Sequence, residues 1–371
     1  MAYPNNRFRS LRRQAGLTIV EFMVAIVIGM LLVAAIATLI ANQSGNRAEV
    51  DRAGRIIENG RFALSSMATD VQMAGYWGEL NSDPTVPSHL TTSDGLPGPC
   101  NLTVSGADPV DSLESAMGVA VQGYNSLSSL PSTLSGCVSN YKTGTDILVV
   151  RRLDPDTTDV EKTNPDGSIS MDLTKLTRGQ VYVQTGLDGS LSLKYKMAAA
   201  DPSSNATTFN LTKKTTTSLA SIRKYVMHIY YISKCSVEVS GSCTNADGGS
   251  PIPTLKRMDL GVASNSPALS KITIAEGIEN MQIDYGKDTD TDGMPNGVDT
   301  NGATFGVQDW TNVMSLKIYL LARSTETSPG YTDTKTYSLG SAGAAPATND
   351  GYKRHVFVQS VRLVNPSMRR S

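Results

Sequence analysis

A chain of 371 residues is long enough to bury a substantial core. Its net charge of -1 provides no global field to recruit nucleic acid or an anionic membrane, so no specific nucleic-acid partner is predicted. Aromatics at 6%, with Gly, Ser, Thr, Asn and Asp recurring throughout, suit a β-rich secreted domain with many turns and exclude a helical bundle.

From Met1 to Gly16 the chain is polar and carries Arg7, Arg9, Arg12 and Arg13 without an acid, a cytoplasmic anchor under the positive-inside rule. From Leu17 to Ala41 the sequence LTIVEFMVAIVIGMLLVAAIATLIA is apolar except for Glu21 and two threonines. About 20 such residues cross a bilayer as a helix, which puts the rest of the chain outside the cytoplasm. A secretory signal peptide is the rival reading, with Ala35-Ile36-Ala37 as its cleavage site. Two features oppose it. The apolar run exceeds the usual h-region, and Glu21 within it costs about 2.5 to 3.5 kcal/mol at mid-membrane depth, less near the interface.

The run Arg-Gln-Ala-Gly16 followed by Leu17-Thr-Ile-Val-Glu21-Phe resembles the signal of type IV prepilins. The resemblance implies that prepilin peptidase cuts after Gly16, that Leu17 becomes the methylated first residue and that Glu21 becomes the fifth. Leu17 departs from the Phe or Met that many members carry. On a helix rising 1.5 Å per residue, the new ammonium and the Glu21 carboxylate lie about one turn apart. In a filament Glu21 would meet a neighbour's ammonium, offsetting the burial of both charges.

Residues 42–78 are predicted to continue the helix, with Val50, Ala53, Ile57, Leu64, Ala68, Val71 and Ala74 as its apolar stripe. Gly45, Gly54 and Gly60 each weaken it by up to about 1 kcal/mol, so a bend or a partial melt is expected. The stretch ENGRFALSSMATDVQMAGYWG from Glu58 to Gly78 resembles the PilW family of minor pilins, although Glu79 stands where members often place a Cys. Strands are predicted over Thr145–Arg152, Gln180–Gln184, Ser190–Met197, Lys224–Ser233, Ile274–Tyr285, Val313–Ser324 and His355–Asn365. In the fourth, His228, Tyr230 and Ile232 alternate with Met227, Ile229 and Tyr231. The order of these strands is also similar to PilW, and the segments 81–145 and 154–177 are predicted as divergent loop. The implied fold class is α+β and type IV pilin-like: leader 1–16, membrane helix 17–41, amphipathic helix 42–78, and a head over 79–371 whose antiparallel sheet packs on the helix.

The sharpest chemical motif is Asp288-Thr-Asp290-Thr-Asp292-Gly293-Met294-Pro-Asn296-Gly-Val-Asp299. Read as a twelve-position loop, it places oxygens at one, three, five, nine and twelve, with the Met294 carbonyl at seven, a spacing that suits calcium. No helical pattern flanks it, Asp299 is shorter than the usual Glu, and a solvated acidic turn is the competing reading. Cys100, Cys137, Cys235 and Cys243 all follow the apolar segment, and three pairings into two disulfides are open. Cys235 with Cys243 and Cys100 with Cys137 are preferred, closing a small Gly/Ser loop and a long Pro/Ser-rich excursion. His89, His228 and His355 are far apart in the chain, which argues against zinc, and no nucleophile elbow, phosphate loop or dinucleotide fingerprint points to an enzyme.

The resemblance implies a minor pilin of the inner membrane and then the cell-surface pilus, with other minor pilins, the major pilin, prepilin peptidase and a PilY-type tip adhesin as partners. Priming of assembly at the tip, twitching motility and adhesion follow from it. A minor pseudopilin of type II secretion and a calcium-dependent membrane-anchored adhesin are the alternatives.

Overall fold

In the computed structural model, residues 16, 18–78, 80, 95–104, 112–158, 161–167, 169–188, 193–201, 208–213, 218–297 and 300–368 are described. The chain divides into two units, residues 1–52 and 53–371, and each is described by itself. Helix α1 spans Ile19–Gln72 without interruption at Gly45, Gly54 or Gly60. It ends six residues before the expected limit of 78, in a turn where Gly75 takes φ +68 and donates its N–H to the Arg151 carbonyl at 2.9 Å. Asn365 closes the same end by donating to the Met73 and Ala74 carbonyls at 3.2 Å.

The first unit holds the apolar half of α1, and no residue from Ile19 to Ala41 is buried. It is the one helix among the described residues that is long and apolar enough to cross a membrane. In the second unit α1 buries Ile56, Gly60, Ala63, Leu64, Met67, Ala68, Asp70 and Val71. The predicted stripe is therefore corrected at its start: Val50, Ala53 and Ile57 are exposed and Ile56 takes the core position. Gly60 explains the rotation. A Cβ there would lie 2.1 Å from the Phe357 ring, so the residue read as a weak point is where the helix approaches the sheet most closely.

The head strands are β1 (Val121–Tyr124), β2 (Ile147–Thr158), β3 (Glu161–Thr163), β4 (Ile169–Met171), β5 (Val181–Leu187), β6 (Leu193–Ala199), β7 (Ile222–Ser233), β8 (Thr254–Ala263), β9 (Ser266–Glu276), β10 (Ile278–Lys287), β11 (Val313–Arg323), β12 (Tyr337–Ser338), β13 (Ala344–Ala345) and β14 (Arg354–Arg362). Short helices α2 (Ser132–Ser135), α3 (Val307–Thr311) and α4 (Val364–Met368) lie between and after them. A seven-stranded antiparallel sheet is built around β7, which pairs with β2 on one edge and with β5 and then β8 on the other. A second sheet of three strands runs β10-β11-β14.

One core joins the buried face of α1 to Leu148, Val150, Tyr230 and Ile232 of the first sheet and to Ile283, Ile318, Leu320, Phe357 and Val361 of the second. The opposite face of the first sheet, with Val149, Met227, Ile229 and Tyr231, packs with Trp77, Leu113, Met117 and Leu134 into a second core. Both faces of β7 are thus buried, a correction to the half-buried strand expected from its alternation, because the second core covers the face that alternation would leave to solvent.

Four expectations are corrected. The predicted strand Ile274–Tyr285 is two strands, broken at Gly277, whose φ of +75 and 2.6 Å approach to the Arg323 carbonyl admit only glycine. The hairpin of β8 and β9 had no counterpart in the prediction, because its turn residues Ser264 and Asn265 adopt φ +50 and +61 without a glycine to announce them. Within the expected loops, β1, α2 and the β3-β4 pair are ordered, and the predicted strand His355–Asn365 gives way to α4.

Candidate functional site

Gly16 is exposed; Leu17 and residues 1–15, expected to be the leader, lie outside the described residues. Thr18 precedes the first helical turn, and the Glu21 N–H donates to its hydroxyl at 3.2 Å while the Thr18 N–H and hydroxyl each lie 3.4 Å from the Glu21 carboxylate. This Thr-x-x-Glu box stabilises the helix start, since the carboxylate stands beside unpaired N–H groups. The carboxylate is exposed and faces no cation among the described residues.

The acidic loop follows β10. Asp288, Asp290 and Asp292 each bring a carboxylate oxygen within 4.8 Å of the others, with Asp288 buried and the other two exposed. Asp288 accepts from the Asp290, Thr291 and Gly293 N–H groups at 3.1, 2.6 and 3.0 Å, which folds the chain tightly around it. Asn296 donates to Asp290 at 3.1 Å and accepts from the Thr289 N–H at 2.7 Å. Met294 donates its N–H to Asp292 at 2.7 Å and exposes its side chain. Asp299 lies outside the described residues. Converging hard oxygens on a short loop fit a divalent cation, with Asp288, Asp290 and Asp292 as the central donors.

A cluster that sequence reasoning missed fastens α1 to the first sheet. Asp70, 4% exposed, accepts from Arg152 Nε at 2.9 Å and from the Tyr230 hydroxyl at 3.0 Å, and it meets His228 Nδ1 at 2.6 Å. Arg257 forms a two-bond pair with Asp259, whose carboxylate lies 3.7 Å from His228 Nε2. Burial alone would raise the Asp70 pKa, but the hydrogen bond and charge of His228 and then Arg152 outweigh it and hold the carboxyl below its ordinary value. His228, which no metal-ligand spacing in the sequence joins to a carboxylate, sits between two. The hints were an acid inside an apolar helix stripe and an alternation placing His228 and Tyr230 on one strand face.

The structure joins Cys100 to Cys137 and Cys235 to Cys243, with Cα separations of 5.6 and 5.5 Å. The first bridge lies beside the core around Trp77, and the second closes the loop that follows β7.

The apolar amino-terminal helix and the antiparallel sheets of the head define a mixed α+β chain. A family model described as the prokaryotic N-terminal methylation motif matches residues 11–37. The model for type IV pilus-assembly protein W matches residues 229–365, so the chain carries a PilW domain over the last five residues of β7 and on through β8 to β14. These two matches support a structural, membrane-associated minor pilin of a type IV pilus, with pilins and a prepilin peptidase as its partners. The search of curated proteins returned no match. Among solved structures, a type IV-like pilin from Thermus thermophilus aligns at 15% identity over 38% of this chain and 79% of its own length, with a TM-score of 0.18.

Proposed function

We propose that this chain is a minor pilin that helps to initiate type IV pilus assembly at the filament tip, and that it thereby serves twitching motility and adhesion. The observation that carries the reading is the joint occurrence of a prepilin amino terminus and a PilW domain on one chain. The exposed Glu21 on an apolar helix supports it, because a carboxylate in lipid requires a cation and a neighbouring subunit's new terminal ammonium is the one that processing after Gly16 creates. A head of this size, stacked at every position of a thin filament, would crowd its neighbours, which favours the tip. Deletion of the gene tests the reading: twitching is lost and type II secretion is retained, whereas the opposite pattern would assign the chain to a secretion pseudopilus. Mass spectrometry of the mature chain is expected to find methylated Leu17 at its amino terminus.

The loop of Asp288, Asp290, Asp292, Met294, Asn296 and Asp299 is proposed to hold calcium, which would neutralise its crowded carboxylates and order it. The three oxygens within 4.8 Å of one another support this. A ligand that binds only the folded state raises the melting temperature by mass action. Melting of the full chain in detergent with calcium and with chelator tests the site, and an unchanged midpoint removes it.

A further inference from the structure

The sheet edges of the head are unequal. Strand β1 is only four residues long. Strand β6 exposes Lys196, and β9 carries Pro267, Lys271 and a bulge in its pairing with β8. On β10, the Met281 carbonyl and the Ile283 N–H are taken by Asp146, and Tyr285 bridges to Thr300. Short length, lysine, proline, bulges and coverage are the devices that keep an edge from pairing with another chain.

Strand β14 has none of them. It runs nine residues, RHVFVQSVR, pairs only with β11 among the described residues, and keeps its register throughout. The Ser324 N–H donates to the Lys353 carbonyl and the Leu363 N–H to the Met314 carbonyl, both at 2.8 Å. With Arg354 opposite Arg323 and Arg362 opposite Ser315, these two bonds put the odd-numbered residues of β14 in its hydrogen-bonded pairs with β11. The N–H and C=O groups of Val356, Val358 and Ser360 therefore point away from β11, and none has a partner among the described residues. Val358 is 48% exposed and Ser360 is also exposed, so this edge is open to another chain.

We infer that the outer edge of β14 is a strand-addition site that takes an extended, alternately apolar segment of a different pilus subunit, with a carboxylate set against Arg362. Charge decides the occupant. Among the described residues the guanidinium of Arg362 meets only neutral acceptors, the Ser367 hydroxyl at 3.2 Å and the Gly293 carbonyl at 3.3 Å, and His355 is exposed at the other end. A second copy would offer another strand whose Arg354 is already held by its own Glu279, Asp333 and Asp350, and which itself carries no acid to set against Arg362. An acid-bearing strand supplies the missing charge, while main-chain bonds to Val356, Val358 and Ser360 supply affinity. The identity of the partner as a pilus subunit rests on the minor-pilin reading.

Val358→Pro removes an outward N–H without touching the ladder to β11, and Val358→Thr keeps it. Each full chain is expressed in cells lacking the native gene, and its amount in sheared filaments is compared with that in membranes. Proline is expected to lower incorporation about tenfold or more, and threonine to leave it near wild type, with equal melting of both in detergent. Equal incorporation of the proline and threonine variants would overturn the inference. Absence of the wild-type chain from filaments would instead sink the minor-pilin reading, and the pilus partner with it. Should the proline variant misfold, hydrogen exchange of the wild-type chain decides. The Val356, Val358 and Ser360 amides are expected to exchange quickly in detergent and at least about tenfold more slowly in filaments. Equal rates in both, or disulfide-linked homodimers of Ser360→Cys chains, would refute an occupant from a different subunit.

Discussion

Two carboxylates on the same helix lead opposite lives. Asp70 is enclosed by the head, which supplies Arg152, His228 and Tyr230 within 3.0 Å. Glu21 is exposed on an apolar stretch and touches only Thr18 at 3.2 to 3.4 Å among the described residues. An acid on an apolar helix face thus means an internal clamp where the chain provides cations, and a demand on another molecule where it does not. A third acid marks the remaining case. Asp146, 1% exposed, accepts N–H bonds from Ser126 and Ile283 at 2.8 Å but has no cation beside it among the described residues. Burial, with a smaller push from Asp284, raises its pKa to about 7.

The contrast is broken most directly by removing each acid in turn. Asp70→Ala leaves Arg152 and His228 facing an empty site and is expected to cost about 3 to 5 kcal/mol in denaturant unfolding of the full chain in detergent. Trp77 and Trp310, both buried in the head, report that transition by fluorescence. Glu21→Ala is expected to leave the same curve within about 0.5 kcal/mol while reducing filament incorporation. Equal unfolding curves for the two variants would erase the distinction.

Acidity sharpens the comparison next. Asp70, whose pKa is depressed, contributes stability that is present above its unfolded value near 3.8 and is lost as pH falls through the lower folded value. Asp146 has the opposite sign. Its protonated form is favoured in the fold, so stability declines as pH rises from about 4 to about 7, by an amount on the order of 2 to 4 kcal/mol. Thermal melting between pH 4 and 8 should therefore show a downward slope that Asp146→Asn flattens, although loss of one accepted N–H bond lowers the whole curve. A slope that persists in the variant would assign it to another group.

The smallest effects come from the glycines. Gly60→Ala forces a methyl into the Phe357 ring and is expected to destabilise by about 1 to 3 kcal/mol. Gly54→Ala meets nothing within 4 Å and should be neutral or stabilise by up to about 1 kcal/mol. Both are read from the same denaturation curves, and a reversal of their order would displace the contact between helix and sheet.

The legible parts of the sequence were those whose signal is local. An apolar run with one acid, alternation on β7 and the stretch Val313 to Ser324 specified helix and strands through their periodicity. What stayed hidden depends on partners distant in the chain. The phase of the α1 stripe is set by Phe357, and nothing near Gly60 in sequence names that ring. The cluster at Asp70 assembles residues from α1, β2, β7 and β8, so no spacing rule could join them. The acidic loop could be read because its Asp residues are neighbours in sequence, whereas the open edge of β14 is a property of sheet order.

The bond from Asn365 to the end of α1 spans residues 292 and 291 positions apart. At synthesis rates of about 5 to 20 residues per second, that closure waits about 15 to 60 s after the helix has left the ribosome. Throughout that interval the anchor can already be seated in the bilayer while the head lacks its final suture. A shortened translation product would keep its greasy stem, yet it would never present a finished head.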